Sequence, residues 1–281
     1  MGTKTWMPGT RPGMTRQGTR AVATLMRMIS RRNLLGGGAA LLAASRASAT
    51  ELAEKLDVPA SEGPVALTRY TANEAGKRPA VIVLHGSRGF ELRLLAYQRY
   101  ADALTAVGID VFLARYYGPA DAEALQKLGT SEKREAYEDG RYGVWADRVS
   151  STVTAILARP ESSGRLGLLG FSLGGFVAAA TAARDERIAA LAVLYGGMPE
   201  KIASHVKRMP PLLELHGDAD RNVPLANGVA LIKLAKSVGA EADQITYPGK
   251  PHGFDFSDRD SATGDAIAHV VGFFKTRLVA A

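Results

Sequence analysis

The chain has no cysteine. Disulfides, cysteine-based zinc sites and thiol nucleophiles are therefore excluded, although an oxidising compartment stays compatible with the composition. No internal repeat, low-complexity tract, inserted cap domain or cofactor-binding motif interrupts the 281 residues. Acidic residues are missing from the first 49 positions, which hold eight of the 35 lysines and arginines. Beyond them stand 27 basic against 28 acidic residues, so the formal net charge of +7 belongs to the leader. The remainder lacks the concentrated Lys/Arg that neutralises phosphates, which argues against a nucleic-acid or anionic-membrane partner.

The leader has its own pattern. Ser30-Arg31-Arg32-Asn33-Leu34-Leu35 resembles a twin-arginine export motif. An apolar stretch follows over Leu34–Ala44, softened by Gly36, Gly37 and Gly38; it has 11 residues, against the roughly 20 needed to span a bilayer. Ala47-Ser48-Ala49 is a small-x-small site of the kind a signal peptidase cuts, and Arg46 disfavours the general secretory route. Residues 1–49 are thus expected to be a signal peptide with an upstream extension. Residues 50–281 are expected to be one domain that is periplasmic or secreted, with the twin-arginine machinery and signal peptidase as partners. The other reading is a basic tail on a cytoplasmic protein.

From residue 50 onward, apolar runs alternate with helical patterns. Strands are predicted at Val65–Tyr70, Pro79–His85, Ile109–Leu113, Arg165–Leu169, Ile188–Tyr195, Pro211–Leu215 and Gln244–Tyr247. Helices are predicted at Thr50–Leu56, Leu92–Val107, Ala122–Leu128, Ser131–Ala158 with a break near Gly140–Gly143, Phe176–Ala183, Val223–Ser237 and Ala262–Leu278. The alternation predicts an α/β fold with a mostly parallel central sheet and helices on both faces. Sites in such sheets lie at the carboxyl ends of the strands.

Three strand ends carry the chemistry. Gly170-Phe171-Ser172-Leu173-Gly174 stands between an apolar strand and a helix, where a tight turn flanked by small residues lifts a serine hydroxyl clear of the sheet. Ser172 is the predicted nucleophile; the bland reading is a serine that merely caps a helix. His216-Gly217-Asp218-Ala219-Asp220 follows the strand at Pro211–Leu215. Asp220 is expected to orient the histidine, with Asp218 capping the turn. Pro251-His252-Gly253-Phe254 follows the last strand, and His252 alone of five histidines comes after the acid, in the order Ser…Asp…His. His205 and His269 fall in surface segments, and His85 and His216 at strand ends read as supporting or structural residues. The loop His85–Gly89 can turn an N–H toward the serine, so the oxyanion donors are expected to be Leu173 and Ser87, with Gly86 as the fallback.

The segments Val81–Gly89, Gly170–Gly175, Leu215–Pro224 and Pro251–Phe254, with 48 residues from Ser172 to Asp220 and 32 more to His252, resemble the dienelactone hydrolase family of α/β-hydrolases. The resemblance runs from about Val65 onward and implies an α/β-hydrolase fold, no metal and no organic cofactor. It implies a carboxylic ester or lactone as the small-molecule substrate, with a non-catalytic binding protein on the same fold as the rival. True dienelactone hydrolases use a cysteine nucleophile and a glutamate in the oxyanion loop, where this chain has Ser172 and Gly86. They also hold the substrate carboxylate with arginines, one of them four residues after the histidine, where this chain has Phe256. Arg115 and Arg88 are the candidate replacement cations. Tyr116, Tyr117, Phe254 and Phe256 would suit an apolar or aromatic ester.

Overall fold

The computed structural model describes residues 53–279. The leader and its predicted signal lie outside them. Eight strands form one sheet: β1 (Glu54–Val58), β2 (Val65–Tyr70), β3 (Arg78–Leu84), β4 (Asp110–Arg115), β5 (Ser162–Phe171), β6 (Ile188–Leu194), β7 (Leu212–Gly217) and β8 (Ala242–Tyr247). Their order across the sheet is β1-β2-β4-β3-β5-β6-β7-β8. β1 and β2 run antiparallel to their neighbours, while every pairing from β4 to β8 is parallel.

The strands are nearly continuous runs of Val, Leu, Ile and Ala because helices cover both faces. In β3 the alternation assigns each side chain to a layer. Ile82 and Leu84 join one core with Trp145, Val149 and Val177, while Val81 and Val83 join the other with Tyr100, Leu104 and Phe274. The first layer is covered by α3 (Ser131–Leu157), α4 (Leu173–Arg184) and α6 (Leu225–Ser237); the second by α1 (Leu94–Thr105) and α7 (Ser261–Phe274). Two short helices, α2 (Asp121–Lys127) and α5 (Glu200–Ala203), complete the set. In α1 the buried residues Ala96, Tyr97, Tyr100, Ala101 and Leu104 form one stripe. The chain then turns through Gly108, whose φ of 83° suits the left-handed position after a helix.

Two sequence expectations are corrected here. The expected helix at Thr50–Leu56 is a strand from Glu54: β1 pairs with β2, with Leu56 opposite Leu67 and Val58 opposite Val65. Pairing along an open sheet edge overrides the local helical propensity of these residues. The expected break at Gly140–Gly143 does not occur, and α3 runs unbroken for 27 residues. Glycine costs a helix only about 1 kcal/mol each, and the buried face of Tyr142, Trp145, Val149, Val153 and Ile156 outweighs that. Asp121 adds an anchor, accepting hydrogen bonds from Trp145 Nε1 at 2.8 Å and Tyr137 at 2.7 Å.

The chain leaves β3 toward β4 on one side and β5 toward β6 on the other. The strand order therefore reverses between β3 and β5, and their carboxyl ends open a crevice at that point.

Candidate active site

Ser172 stands directly after β5 with φ 54° and ψ −122°, a backbone conformation that a side-chain-bearing residue rarely adopts. The turn closes only because its flanks are bare. A Cβ on Gly170 would lie 2.3 Å from the Gly174 carbonyl oxygen, and one on Gly174 would lie 2.4 Å from that of Leu84. The Ser172 N–H donates to Leu194 O at 2.9 Å, tying the turn to β6.

His252 and Asp220 converge on this serine from the loops after β8 and β7. His252 Nδ1 lies 2.7 Å from Asp220 Oδ2, and its Nε2 lies 2.9 Å from Ser172 Oγ. A carboxylate only accepts, so Nδ1 carries the hydrogen and Nε2 offers a lone pair to the serine hydroxyl. The other Asp220 oxygen accepts from the N–H groups of Asn222 at 2.8 Å and Val223 at 3.0 Å. Asp218 instead accepts from Gly249 N–H at 2.6 Å, pinning the loop that delivers His252. Of the two aspartates weighed from the sequence, Asp220 is the one brought to the histidine.

The His85–Gly89 loop lies against the serine: a Cβ on Gly86 would sit 3.5 Å from Ser172 Cβ. Gly86 N–H is engaged, donating to Tyr97 Oη at 3.1 Å. Ser87 N–H and Leu173 N–H have no hydrogen-bond partner among the described residues. Leu173 opens α4, where the N–H groups of the first turn lack intrahelical acceptors and the helix dipole favours negative charge. The loop is held from beneath by His85, whose Nδ1 lies 2.8 Å from Gly86 O and whose ring stacks on Tyr116 at 4.4 Å. Burial lowers the His85 pKa to about 4, so the ring is neutral and Nδ1–H donates.

The substrate-contact candidates fare unevenly. Tyr116 is a core residue: its side chain is fully buried between His85 and Trp145 and its hydroxyl donates to His85 O at 3.0 Å. Phe254 is likewise buried, against Tyr247 at 4.5 Å. Both corrections have one cause: aromatic surface at a strand end is more readily buried in the adjoining layer than left in the cleft. Arg115 is ion-paired with Glu91 at 3.2 Å and lies over the Phe90 ring, with no bond to Ser172 or His252. Arg88 is exposed. Phe256 is half-buried among Tyr97, Phe171 and Tyr195, and Tyr117 donates to Ser87 O at 3.0 Å.

Two supports had no signal in the sequence. Tyr97 looks like any member of the buried stripe of α1, yet its hydroxyl takes the Gly86 N–H. Tyr195, at φ 42°, sets its ring 4.6 Å from that of His252 and donates to the buried Asp255 at 2.8 Å; Tyr100 donates to the same carboxylate at 2.7 Å. A cavity of about 390 Å³ between α3, α4 and α5 is lined by Tyr142, Ala183, Ile202 and Val206 and does not include Ser172. Among the described residues no cluster of His, Asp and Glu could hold a metal ion.

A mostly parallel eight-stranded sheet of this order, with helices on both faces and a strained serine after β5, defines the α/β-hydrolase fold. Solved structures share it at low sequence identity. A dienelactone hydrolase from Anabaena variabilis is 19% identical, with a TM-score of 0.65, 81% of this chain covered and 98% of that chain. Est1E from Butyrivibrio proteoclasticus is 17% identical, with a TM-score of 0.60, 79% of this chain covered and 98% of that one. A Methylorubrum extorquens protein named "Putative carboxymethylenebutenolidase" is 24% identical over 230 residues, 75% of each chain. The dienelactone hydrolase family model matches residues 66–278, and the chain belongs to that family. It is therefore a hydrolase.

Proposed function

We propose that this protein is a serine hydrolase that cleaves a carboxylic ester or lactone through an acyl-enzyme. The observation that carries the reading is the unbroken chain from Ser172 Oγ to His252 at 2.9 Å and from His252 to Asp220 at 2.7 Å. Ser172 attacks the acyl carbon while its proton passes to His252 Nε2, giving a tetrahedral oxyanion held by the N–H groups of Leu173 and Ser87. Asp220 keeps His252 in the accepting tautomer and stabilises the imidazolium so formed. Collapse expels the alkoxide, which takes the proton from His252; water then repeats the sequence on the acyl-enzyme and frees the acid and Ser172. A lactone follows the same steps, its alkoxide staying tethered to the acyl group.

The substrate side of the reading favours a neutral acyl group. The position four residues after His252 is Phe256, and Arg115 is committed to Glu91. Neither position thus presents a free arginine to a substrate carboxylate in the way the family resemblance would ask. For the leader, the reading is export by the twin-arginine route to the periplasm or beyond.

Labelling with a fluorophosphonate probe tests the mechanism. The wild-type protein is expected to label rapidly, and Ser172→Ala and His252→Ala to lose labelling by at least about a thousandfold. A folded wild-type protein that resists the probe sinks the activated serine.

A further inference from the structure

The strand β7 reads Leu-Leu-Glu-Leu-His-Gly, with Glu214 in the middle of an otherwise apolar, fully buried run. The charged residue there belongs to a second polar chain behind the first. Glu214, His216 and Asp220 all have side chains with 0% exposure. His216 Nδ1 lies 2.7 Å from Glu214 Oε1, and its Nε2 lies 2.9 Å from Val223 O and 3.5 Å from Asp220 Oδ2. That Asp220 oxygen is the one that accepts from His252.

The proton count follows from the partners. The Val223 carbonyl only accepts, so Nε2 carries a hydrogen. One more proton must lie between Nδ1 and Glu214. Glu214 Oε2 already accepts from Gln244 Nε2 at 2.7 Å, which favours the carboxylate form, and the Asp220 charge at 3.5 Å favours an imidazolium. Burial raises the Glu214 carboxyl and likewise opposes charge on His216, but the hydrogen bond and field of Glu214, joined by Val223 O and Asp220, outweigh it and raise the His216 pKa. The titratable groups facing His216 are Glu214 on its own strand and Asp220 on the loop beyond. β8 contributes the neutral Gln244, and α6 contributes Gly228. A Cβ on Gly228 would lie 2.5 Å from Glu214 Oε1, so a glycine inside helix α6 makes the room this carboxylate occupies.

We propose that Glu214 and His216 are positioning residues, His216 being an imidazolium at neutral pH that holds the Asp220 loop through Val223 and tempers the pull of Asp220 on His252. The role in turnover rests on the serine-hydrolase reading; the charge of the pair does not. The imidazolium and His252 share Asp220 Oδ2, at 3.5 Å from His216 Nε2 and 2.7 Å from His252 Nδ1. Losing the imidazolium charge together with that of Glu214 leaves the Asp220 carboxylate unopposed from behind, so Glu214→Gln is expected to shift the pH profile of fluorophosphonate labelling.

Glu214→Gln tests this while preserving every hydrogen bond: the new amide donates to a bare His216 Nδ1 and its oxygen still accepts from Gln244. Proton–nitrogen NMR spectra of the histidine rings in the full protein are the readout. In the wild type, both ring nitrogens of His216 are expected to carry hydrogen at neutral pH. In Glu214→Gln, His216 becomes neutral and the labelling-versus-pH profile shifts. A wild-type His216 with one bare nitrogen at neutral pH overturns the proposal, whatever the variant does. So does a labelling-versus-pH profile unchanged in a Glu214→Gln protein with neutral His216, as a purely structural role requires. Fluorophosphonate labelling of the same samples separates the two readings: an unlabelled wild type defeats the hydrolase mechanism, while the spectra still judge the pair.

Discussion

At Ser172 the polypeptide accepts a conformation that costs on the order of 1–3 kcal/mol, at φ 54° and ψ −122°. The surrounding packing holds it there, because Gly170 and Gly174 let backbone meet backbone at the turn. The strain is that of a residue with a Cβ, so removing the Cβ should relieve it. Ser172→Gly is expected to be more stable than Ser172→Ala by about 1 kcal/mol, less any gain in unfolded-chain entropy. Chemical denaturation of the two inactive variants checks this, and a Ser172→Gly protein less stable than Ser172→Ala by the full entropic cost of glycine, about 1 kcal/mol, would show that the turn is relaxed. The same comparison separates the serine's chemical role from its backbone role, since both variants lack the hydroxyl.

Elements carry the next level of the design. The loop between β3 and α1 is supported by the neutral, buried His85, and the segment after β4 by Arg148. The Arg148 side chain is buried and donates to the carbonyls of Tyr116 at 2.9 Å, Tyr117 at 3.0 Å and Gly63 at 2.8 Å. Tyr117 in turn donates to Ser87 O, so one arginine braces the region from which an oxyanion donor is expected. His85 makes this arrangement sensitive to acid. Its pKa is about 4 in the fold against 6.5 as its ordinary value, so between those limits the unfolded chain binds a proton that the folded one refuses. Stability from this group is complete above about pH 6.5 and falls as the pH drops toward 4, by up to about 3 kcal/mol. Glu138 acts in the opposite sense: burial raises its pKa to about 7, so the folded protein gains a proton first as the pH falls. The comparison that isolates His85 is therefore the difference in unfolding free energy between wild type and His85→Asn. That difference is expected to shrink as the pH is lowered from 7 to about 4; a constant difference would mean that the buried ring takes up its proton at the same pH as in the unfolded chain.

Across the whole molecule, charge is divided along the chain. The excess of basic residues lies in residues 1–49, while the remainder is within one charge of neutrality. The export reading makes a direct prediction: replacing Arg31 and Arg32 by lysine should leave the protein inside the cytoplasm without altering the fold of residues 53–279. Fractionation of expressing cells checks it, and unchanged export of the double variant would remove the twin-arginine route.

How much was legible in the sequence differs by element and by contact range. The buried strands were readable because burial on both faces leaves near-continuous apolar runs; Val65–Tyr70 appeared with the same ends in the fold. The three polar groups of the site were readable because each lies in a short Gly-rich segment at a strand end, where local turn chemistry is written in consecutive residues. The edge strand β1 was not readable, since its partner β2 decides its conformation. Nor was the continuity of α3, where buried contacts outweigh two glycines. Tyr116 and Phe254 looked available to a substrate until packing turned them inward.

The sequence by itself therefore determined the α/β class, the strand-end placement of Ser172, Asp220 and His252, and the family resemblance, all of which rest on short-range patterns. Tertiary structure alone decided which aromatic rings are core, and that Glu214 and His216 form a buried pair behind Asp220. Those contacts join side chains from different loops, strands and helices. Their partners are selected by how the sheet twists and the layers pack, and no local run of residues encodes that.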